Sequence, residues 1–313
     1  MRALVQDRYG APEDVLLLEE VAVPQPKAGE VLVRVHAASL NSWDWDLLAG
    51  TPMGRIMGPF KPPFRTLGAD IAGTIEAVGQ GVTALAVGDK VFGDLSAGKW
   101  GGLADFVLAA ASALAPMPAG LSFEDAAALP QAGSLALQAI RRRPDLGPAD
   151  TVLVNGAAGG VGTFAIQLAK QIGARVVAVD RGDKRDAVMA LGADDFLDYR
   201  RTDYTAVADR YTLIIDMVAN RPARHYARCL RPGGDFVAIG GTYGGLIGVA
   251  LSGLVRRKRR LGVLVYKAAP ADSLALTGLV RPVIDGIYPL PMGAAAFRRL
   301  GNGDHVGKII ITP

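Results

Sequence analysis

Thr151-Val-Leu-Val-Asn-Gly-Ala-Ala-Gly-Gly-Val-Gly-Thr-Phe-Ala-Ile-Gln-Leu-Ala-Lys170 decides the fold. Thr151 to Val154 is a short apolar run of the kind buried in a parallel sheet. A glycine-rich turn follows. Phe164, Ile166, Leu168 and Ala169 then supply the apolar positions of a helix packed on that sheet. A second β-branched run, Ala174-Arg-Val-Val-Ala-Val179, ends at Asp180. Strand, glycine turn, helix, strand and acid come in the order of a dinucleotide-binding unit.

The glycines have separate tasks. Gly159 lets the backbone approach a pyrophosphate, and Gly162 lets the helix lie close to the strand. Gly160 and Val161 open the helix, whose exposed N–H groups and positive end hold phosphate. The pattern is Ala157-x-Gly159-x-x-Gly162, with alanine where the usual fingerprint has its first glycine. An ordinary glycine turn is the alternative. The flanking strand, helix and acid favour a bound dinucleotide.

Composition bounds what surrounds this unit. The 313 residues suffice for two domains with real cores, and half of them are apolar and spread along the chain, which excludes a disordered protein. No apolar run approaches the roughly 20 residues of a membrane span. The opening Met1-Arg-Ala-Leu-Val-Gln-Asp-Arg8 carries an early acid and no long apolar core, unlike a signal peptide, so the expected location is cytoplasmic. The single cysteine, Cys229, excludes an internal disulfide framework and a Cys-rich metal site. The net charge of +4 owes much to Arg141-Arg-Arg143 and to the run from Arg256 to Arg260. Such runs attract nucleic acid or anionic membranes, but more often they are solvated faces, so nucleic acid is not an expected partner.

The first third reads as β-rich. Met1–Val5, Val15–Leu18, Glu30–His36 and Ile71–Val78 have strand character, punctuated by Pro24, Pro26, Gly29, Gly79 and Gly81. These short strands suit a barrel-like antiparallel domain. Near residue 122 the pattern changes: Ser122 can cap a helix with Asp125 in its first turn. From there strands alternate with helices, including Tyr211–Asp216 and Asp235–Gly240. Lys308–Thr312 is a closing strand able to return to the first domain.

With these pieces placed, the chain resembles the medium-chain dehydrogenase/reductase superfamily, and most of all its zinc-free quinone oxidoreductase and reticulon-interacting-protein-like branch. The matching stretches include Pro26–Val35, Ala38-Ser-Leu-Asn41, Leu67–Thr74, Val87–Gly93, Gly156–Gly162, Leu191-Gly-Ala-Asp194, Leu230–Gly234 and Gly307–Ile310. The resemblance implies an α/β protein: a Rossmann doubly wound parallel sheet at 123–280, inserted in a β-rich GroES-like catalytic domain at 1–122 and 281–313. It also implies a homodimer acting on a small molecule. Zinc members carry Cys, His and Glu where this chain has Ser39, Ala69 and Asp70, and the four-cysteine lobe is missing. No metal residues are therefore expected, and His36 reads as structural. Without a Lewis acid to stabilise an alkoxide, hydride addition to an acceptor that already delocalises charge is favoured over alcohol oxidation. Quinones and α,β-unsaturated carbonyls are such acceptors. The alternatives are a pathway-specific enzyme on the same fold and a non-catalytic sensor or nucleic-acid binder.

Asp180 sits where an acid binds adenosine ribose hydroxyls, which favours NADH. Arg181, Lys184 and Arg185 suit a 2′-phosphate, and the positive balance of this loop tips the reading to NADPH, with NADH possible. Val218, Gly240 and Thr242 end strands and should lie along the cofactor. By resemblance, Tyr199 lies beside the adenosine phosphate, Lys308 near the cofactor phosphates, and Asn41 beside the nicotinamide ribose and the substrate. The family's tyrosine and arginine after this asparagine are replaced by Trp45, Asp46 and Leu48. Trp43 and Trp45 offer an apolar wall for a flat substrate or else core packing. Water or Tyr243 is left to supply a proton.

Overall fold

The computed structural model describes residues 1–255 and 259–313. They form two compact units, Met1–Ser134 with Ala268–Pro313, and Leu135–Lys267.

The first unit opens with strands β1 (Arg2–Val5), β2 (Leu17–Glu20), β3 (Glu30–Leu40) and β4 (Asp70–Val78). It continues with β5 (Lys90–Asp94), β6 (Phe106–Ala110) and β7 (Leu114–Pro116). The second unit holds β8 (Thr151–Asn155), β9 (Arg175–Asp180), β10 (Asp195–Asp198), β11 (Tyr211–Asp216), β12 (Leu230–Ala238) and β13 (Arg260–Val263). The chain then returns to the first unit with β14 (Ile284–Pro289) and β15 (Lys308–Thr312). The β-rich sheet runs β14-β15-β3-β4-β5-β7, with β6 also paired to β3. β15 enters it between β14 and β3, with Ile309 opposite Leu40. Alternate apolar residues of these strands, among them Val31, Val33, Val35, Ile71, Val91, Ile309 and Ile311, build one buried core.

The strand expected at Val15–Leu18 is corrected. Pro12–Val15 is a single helical turn, α1, and only Leu17 onward is strand. Pro12 is preset for the first turn of a helix, and Val15 drops into the core. The helix expected after Ser122 is present, α4 (Phe123–Ala128) if α2 (Ser42–Ala49) and α3 (Pro52–Met57) are counted first. Ser122 Oγ accepts from the Asp125 N–H at 3.0 Å. His36 Nε2 lies 3.1 Å from Thr74 Oγ1 and its ring stacks on Phe123, as a structural histidine does.

In the second unit all six strands are parallel, in the order β10-β9-β8-β11-β12-β13. This is the doubly wound order, and the chain reverses direction of travel between β8 and β11. β8 and β11 are buried along their whole lengths, as a sheet covered on both faces demands. After α5 (Pro130–Ile140), the helix α6 (Gly160–Gln171) connects β8 to β9. The later helices are α7 (Arg185–Ala190), α8 (Ala223–Cys229), α9 (Tyr243–Val255), α10 (Pro270–Leu276) and α11 (Gly293–Gly301).

Candidate functional site

Ligands of open parallel sheets bind beyond the strand C-termini at the switch point. Here that place is the end of β8. Gly156 turns with φ +84°, and the Gly156 and Ala157 N–H groups bond Val179 O at 3.0 and 3.1 Å. Gly159 is the N-cap of α6 and no side chain caps the helix, so its first turn, opened by Gly160 and Val161, offers backbone donors to an anion. The two signature glycines differ in the room around them. A Cβ at Gly162 would stand 2.3 Å from Gly156 O and 2.6 Å from Ala157 O, whereas one at Gly159 meets only Gly156 O at 3.3 Å. Gly162 therefore permits helix-on-loop packing, and Gly159 leaves a cradle that a side chain would fill.

Asp180 ends β9 and is buried. Its Oδ2 accepts from the Ala158 N–H at 2.8 Å and its Oδ1 from its neighbour, the Arg181 N–H, at 2.8 Å. The carboxylate thus braces the glycine loop. Arg181 bonds Asp183 at 2.9 Å, and Lys184 is buried. Beyond them lies a hollow of about 430 Å³ lined by Gly182, Asp183, Arg185, Phe196, Asp198, Arg200 and Arg201. The Arg185 guanidinium sits over Phe196 at 5.6 Å, and that of Arg200 beside the half-exposed Tyr199 at 6.0 Å. Arg200 and Arg201 escaped the sequence reading, although they directly follow Tyr199.

The ends of β11 and β12 come together in the same unit. Asp216 accepts from the N–H groups of Val218 and Ala219 at 2.8 and 2.9 Å and from Asn155 Nδ2 at 2.8 Å. This ties the Val218 turn to the end of β8. Burial pushes the Asp216 carboxyl upward, against these four donors, of which the Tyr204 hydroxyl at 3.3 Å is the last. A Cβ at Gly240 would lie 2.6 Å from Met217 O, so the two turns touch. Thr242 Oγ1 accepts from the Gly245 N–H at 3.1 Å, and Tyr243 begins α9 with an exposed side chain. The second unit therefore gathers Ala157–Val161, Asp180, Arg181, Val218, Gly240 and Thr242 at the strand C-termini.

Asn41, Trp45 and Lys308 belong to the first unit. Asn41 is the N-cap of α2 and nearly buried. Its Nδ2 donates to Asp70 Oδ2 at 2.9 Å, and its Oδ1 accepts from Lys308 Nζ at 2.5 Å. Asp44 accepts from the N–H groups of Asn41 and Gly68, both at 2.8 Å. Burial raises Asp44 to about 6 and Asp70 to about 7, while it lowers Lys308. Lys308 is wholly enclosed rather than a surface charge. The Trp45 ring lies against Gly301, where a Cβ would approach it to 2.2 Å, and it packs on the core; Trp43 is the more exposed of the two.

At the positions aligned with zinc ligands, Ser39 Oγ donates to Asp70 Oδ2 at 3.3 Å, and the other Asp70 oxygen accepts from the Gln131 N–H at 3.1 Å. Among the described residues no group of His, Cys, Asp and Glu is arranged to hold a metal ion. Of the basic run 256–260, residues 256–258 lie outside the described residues. Arg260 is bidentate on Asp235 at 2.7 Å, and Arg259 bonds Leu230 O and Asp209. Arg143 likewise bonds Asp145 and Gly233 O. Among the described residues no helix is long and apolar enough to cross a membrane.

Two family models match, one described as an alcohol dehydrogenase GroES-like domain at residues 27–119 and one as a zinc-binding dehydrogenase at 160–277. The chloroplast envelope quinone oxidoreductase homolog of Arabidopsis thaliana is 33% identical, over 100% of this chain and 98% of its own. The chain belongs to the medium-chain dehydrogenase/reductase superfamily, in its quinone oxidoreductase branch. The structure of the quinone oxidoreductase from Coxiella burnetii superposes with a TM-score of 0.90 at 30% identity, covering 100% of this chain and 99% of the other. The fold is also that of the Escherichia coli quinone oxidoreductase complexed with NADPH, with a TM-score of 0.84 at 24% identity and complete coverage of both chains.

Proposed function

We propose that this protein is an NADPH-dependent, zinc-independent oxidoreductase that reduces quinones or α,β-unsaturated carbonyl compounds. The observation that carries the reading is the constellation at the β8 and β9 ends: a glycine cradle open at Gly159, and an acid, Asp180, turned onto its own loop beside a hollow with three arginines. Arg185, Arg200 and Arg201 suit a 2′-phosphate.

When bound, NADPH supplies the hydride. The N–H groups of the Gly159–Val161 turn hold its pyrophosphate, Arg181 and the three pocket arginines its 2′-phosphate, and Tyr199 flanks the adenosine. Val218, Gly240 and Thr242 line the nicotinamide half, and Asn41 orients the ribose or the acceptor. The residues at 39, 69 and 70 leave no metal to stabilise an alkoxide. That disfavours simple alcohols and favours acceptors whose product charge is delocalised. Arg259 and Arg260 already serve internal partners, which argues against a nucleic-acid face. A homodimer belongs to the same reading.

The test is NADPH oxidation against a panel of quinones and enones with deuterium-labelled cofactor. The reading requires label on the reduced carbon of an enone, or quinol formation equal to NADPH consumed. NADPH binding without oxidation by any acceptor of the panel would overturn it.

A further inference from the structure

We infer that Lys308 and Asp70 act together as positioning residues that lock the orientation of the Asn41 side-chain amide. The inference rests on the role given to Asn41 above, and it assigns Lys308 a partner other than the cofactor phosphates.

The arrangement follows from strand register. β15 runs antiparallel to β3 with Ile309 opposite Leu40, so Lys308 falls opposite Asn41. Lys308 Nζ donates to Leu40 O at 3.0 Å and to Asn41 Oδ1 at 2.5 Å, and lies 3.6 Å from Asp70 Oδ2. That same carboxylate oxygen accepts from Asn41 Nδ2 at 2.9 Å. The amide is thus held between a group that only donates and a group that, ionised, only accepts. A flipped amide would set its NH2 against an ammonium and its oxygen against a carboxylate. Both contacts would be repulsive in a site almost closed to water. One Nδ2–H remains for an outside acceptor, in a direction fixed by the other.

A structural role alone explains this poorly. Lys308 and Asp70 are 2% and 0% exposed, and a buried ion pair is on balance a weak source of stability compared with apolar packing. Asp70 already has other donors in Ser39 Oγ and the Gln131 N–H. Lys308 supplies Asn41 Oδ1 with a charged donor that no flip could imitate.

The test compares wild type, Lys308→Met, Asp70→Asn and the double variant Lys308→Met/Asp70→Asn, which removes both buried charges and so guards against a single variant failing to fold. With asparagine-selective 15N labelling, one Asn41 side-chain amide proton should exchange slowly in the wild type and lose that protection in the double variant. In turnover with a quinone or an enone, kcat should fall about 10- to 100-fold in the double variant, the scale of a misplaced group. The NADPH dissociation constant should stay within about twofold of the wild type, and the melting temperature should return toward it. Retained slow exchange, or wild-type kcat in the double variant, would overturn the inference. So would a fall in kcat matched by an equal loss of NADPH affinity, which would mark Lys308 as a direct phosphate ligand. A wild type that turns over no quinone or enone yet shows the exchange pattern would refute the proposed reaction while the amide lock stands.

Discussion

The Asp180 carboxylate accepts a hydrogen bond from the Ala158 N–H, so the acid at the end of β9 braces the glycine-rich loop that precedes it by some twenty residues. A ribose-binding acid and a loop brace predict different outcomes for the same substitution. The brace predicts that Asp180→Ala weakens NADPH and NADH alike, by about 1.5–3 kcal/mol, the range of a hydrogen bond to a charged group. Arg185→Ala combined with Arg200→Ala should weaken NADPH about tenfold or more and leave NADH within about twofold, because only the phosphate is addressed. Fluorescence titration of each variant with both cofactors checks this. A loss confined to NADH in Asp180→Ala would show that the acid serves the ribose.

Gly159 and Gly162 should fail in different ways. A methyl at Gly162 meets two loop carbonyls at 2.3 and 2.6 Å, so Gly162→Ala should lower stability by about 1–3 kcal/mol through overpacking. Gly159→Val should keep the fold and lose the cofactor, since its side chain enters the cradle. Thermal melts read the first effect and cofactor titration the second. Normal NADPH binding by Gly159→Val would displace the site from this loop.

Asp44 gives the stability a definite pH dependence. Its carboxyl, fully buried, rises from 3.8 to about 6 on folding. Below the lower value both folded and unfolded chains hold the proton, and burial of Asp44 carries no ionic cost. As pH rises through about 6 the native state must bury a charge, a loss of about 3 kcal/mol. Asp44→Asn lacks this titration but has only one acceptor oxygen for the Asn41 and Gly68 amides. The advantage of the wild type over the variant should therefore shrink between pH 4 and pH 7 in urea unfolding. A constant difference would mean that Asp44 keeps an ordinary carboxylate range.

Much of the fold could be read from residues because the signals were local. The Thr151–Lys170 unit, the Ser122 cap and the closing strand each rest on neighbours in sequence. Pro12–Val15 was harder: four residues of mixed character suit a strand or a turn, and only the core position of Val15 decides. The direction of a carboxylate is not a local property, so the two backbone N–H groups that the Asp180 oxygens meet could not be read from the residues. Lys308 and Asn41 are separated by most of the chain, and only the register of β15 on β3 makes them neighbours. Arg200 and Arg201 were legible in principle, but their place beside Arg185 depends on β9 and β10 lying side by side.

That register also governs how the molecule can be made. β15 fills the gap between β14 and β3, and every residue it pairs with in β3 lies more than two hundred residues earlier in the chain. The Rossmann unit, continuous in sequence, can assemble while the β-rich unit still waits for β15. Until residues 308–312 arrive, residues 38–40 of β3, beyond the stretch that β6 covers, lack a partner on that edge and can template a wrong one. Ageing of the nascent chain, more than stability of the finished one, is then where this fold is most exposed to aggregation, and a ribosome stall shortly before Lys308 is where it should be sought.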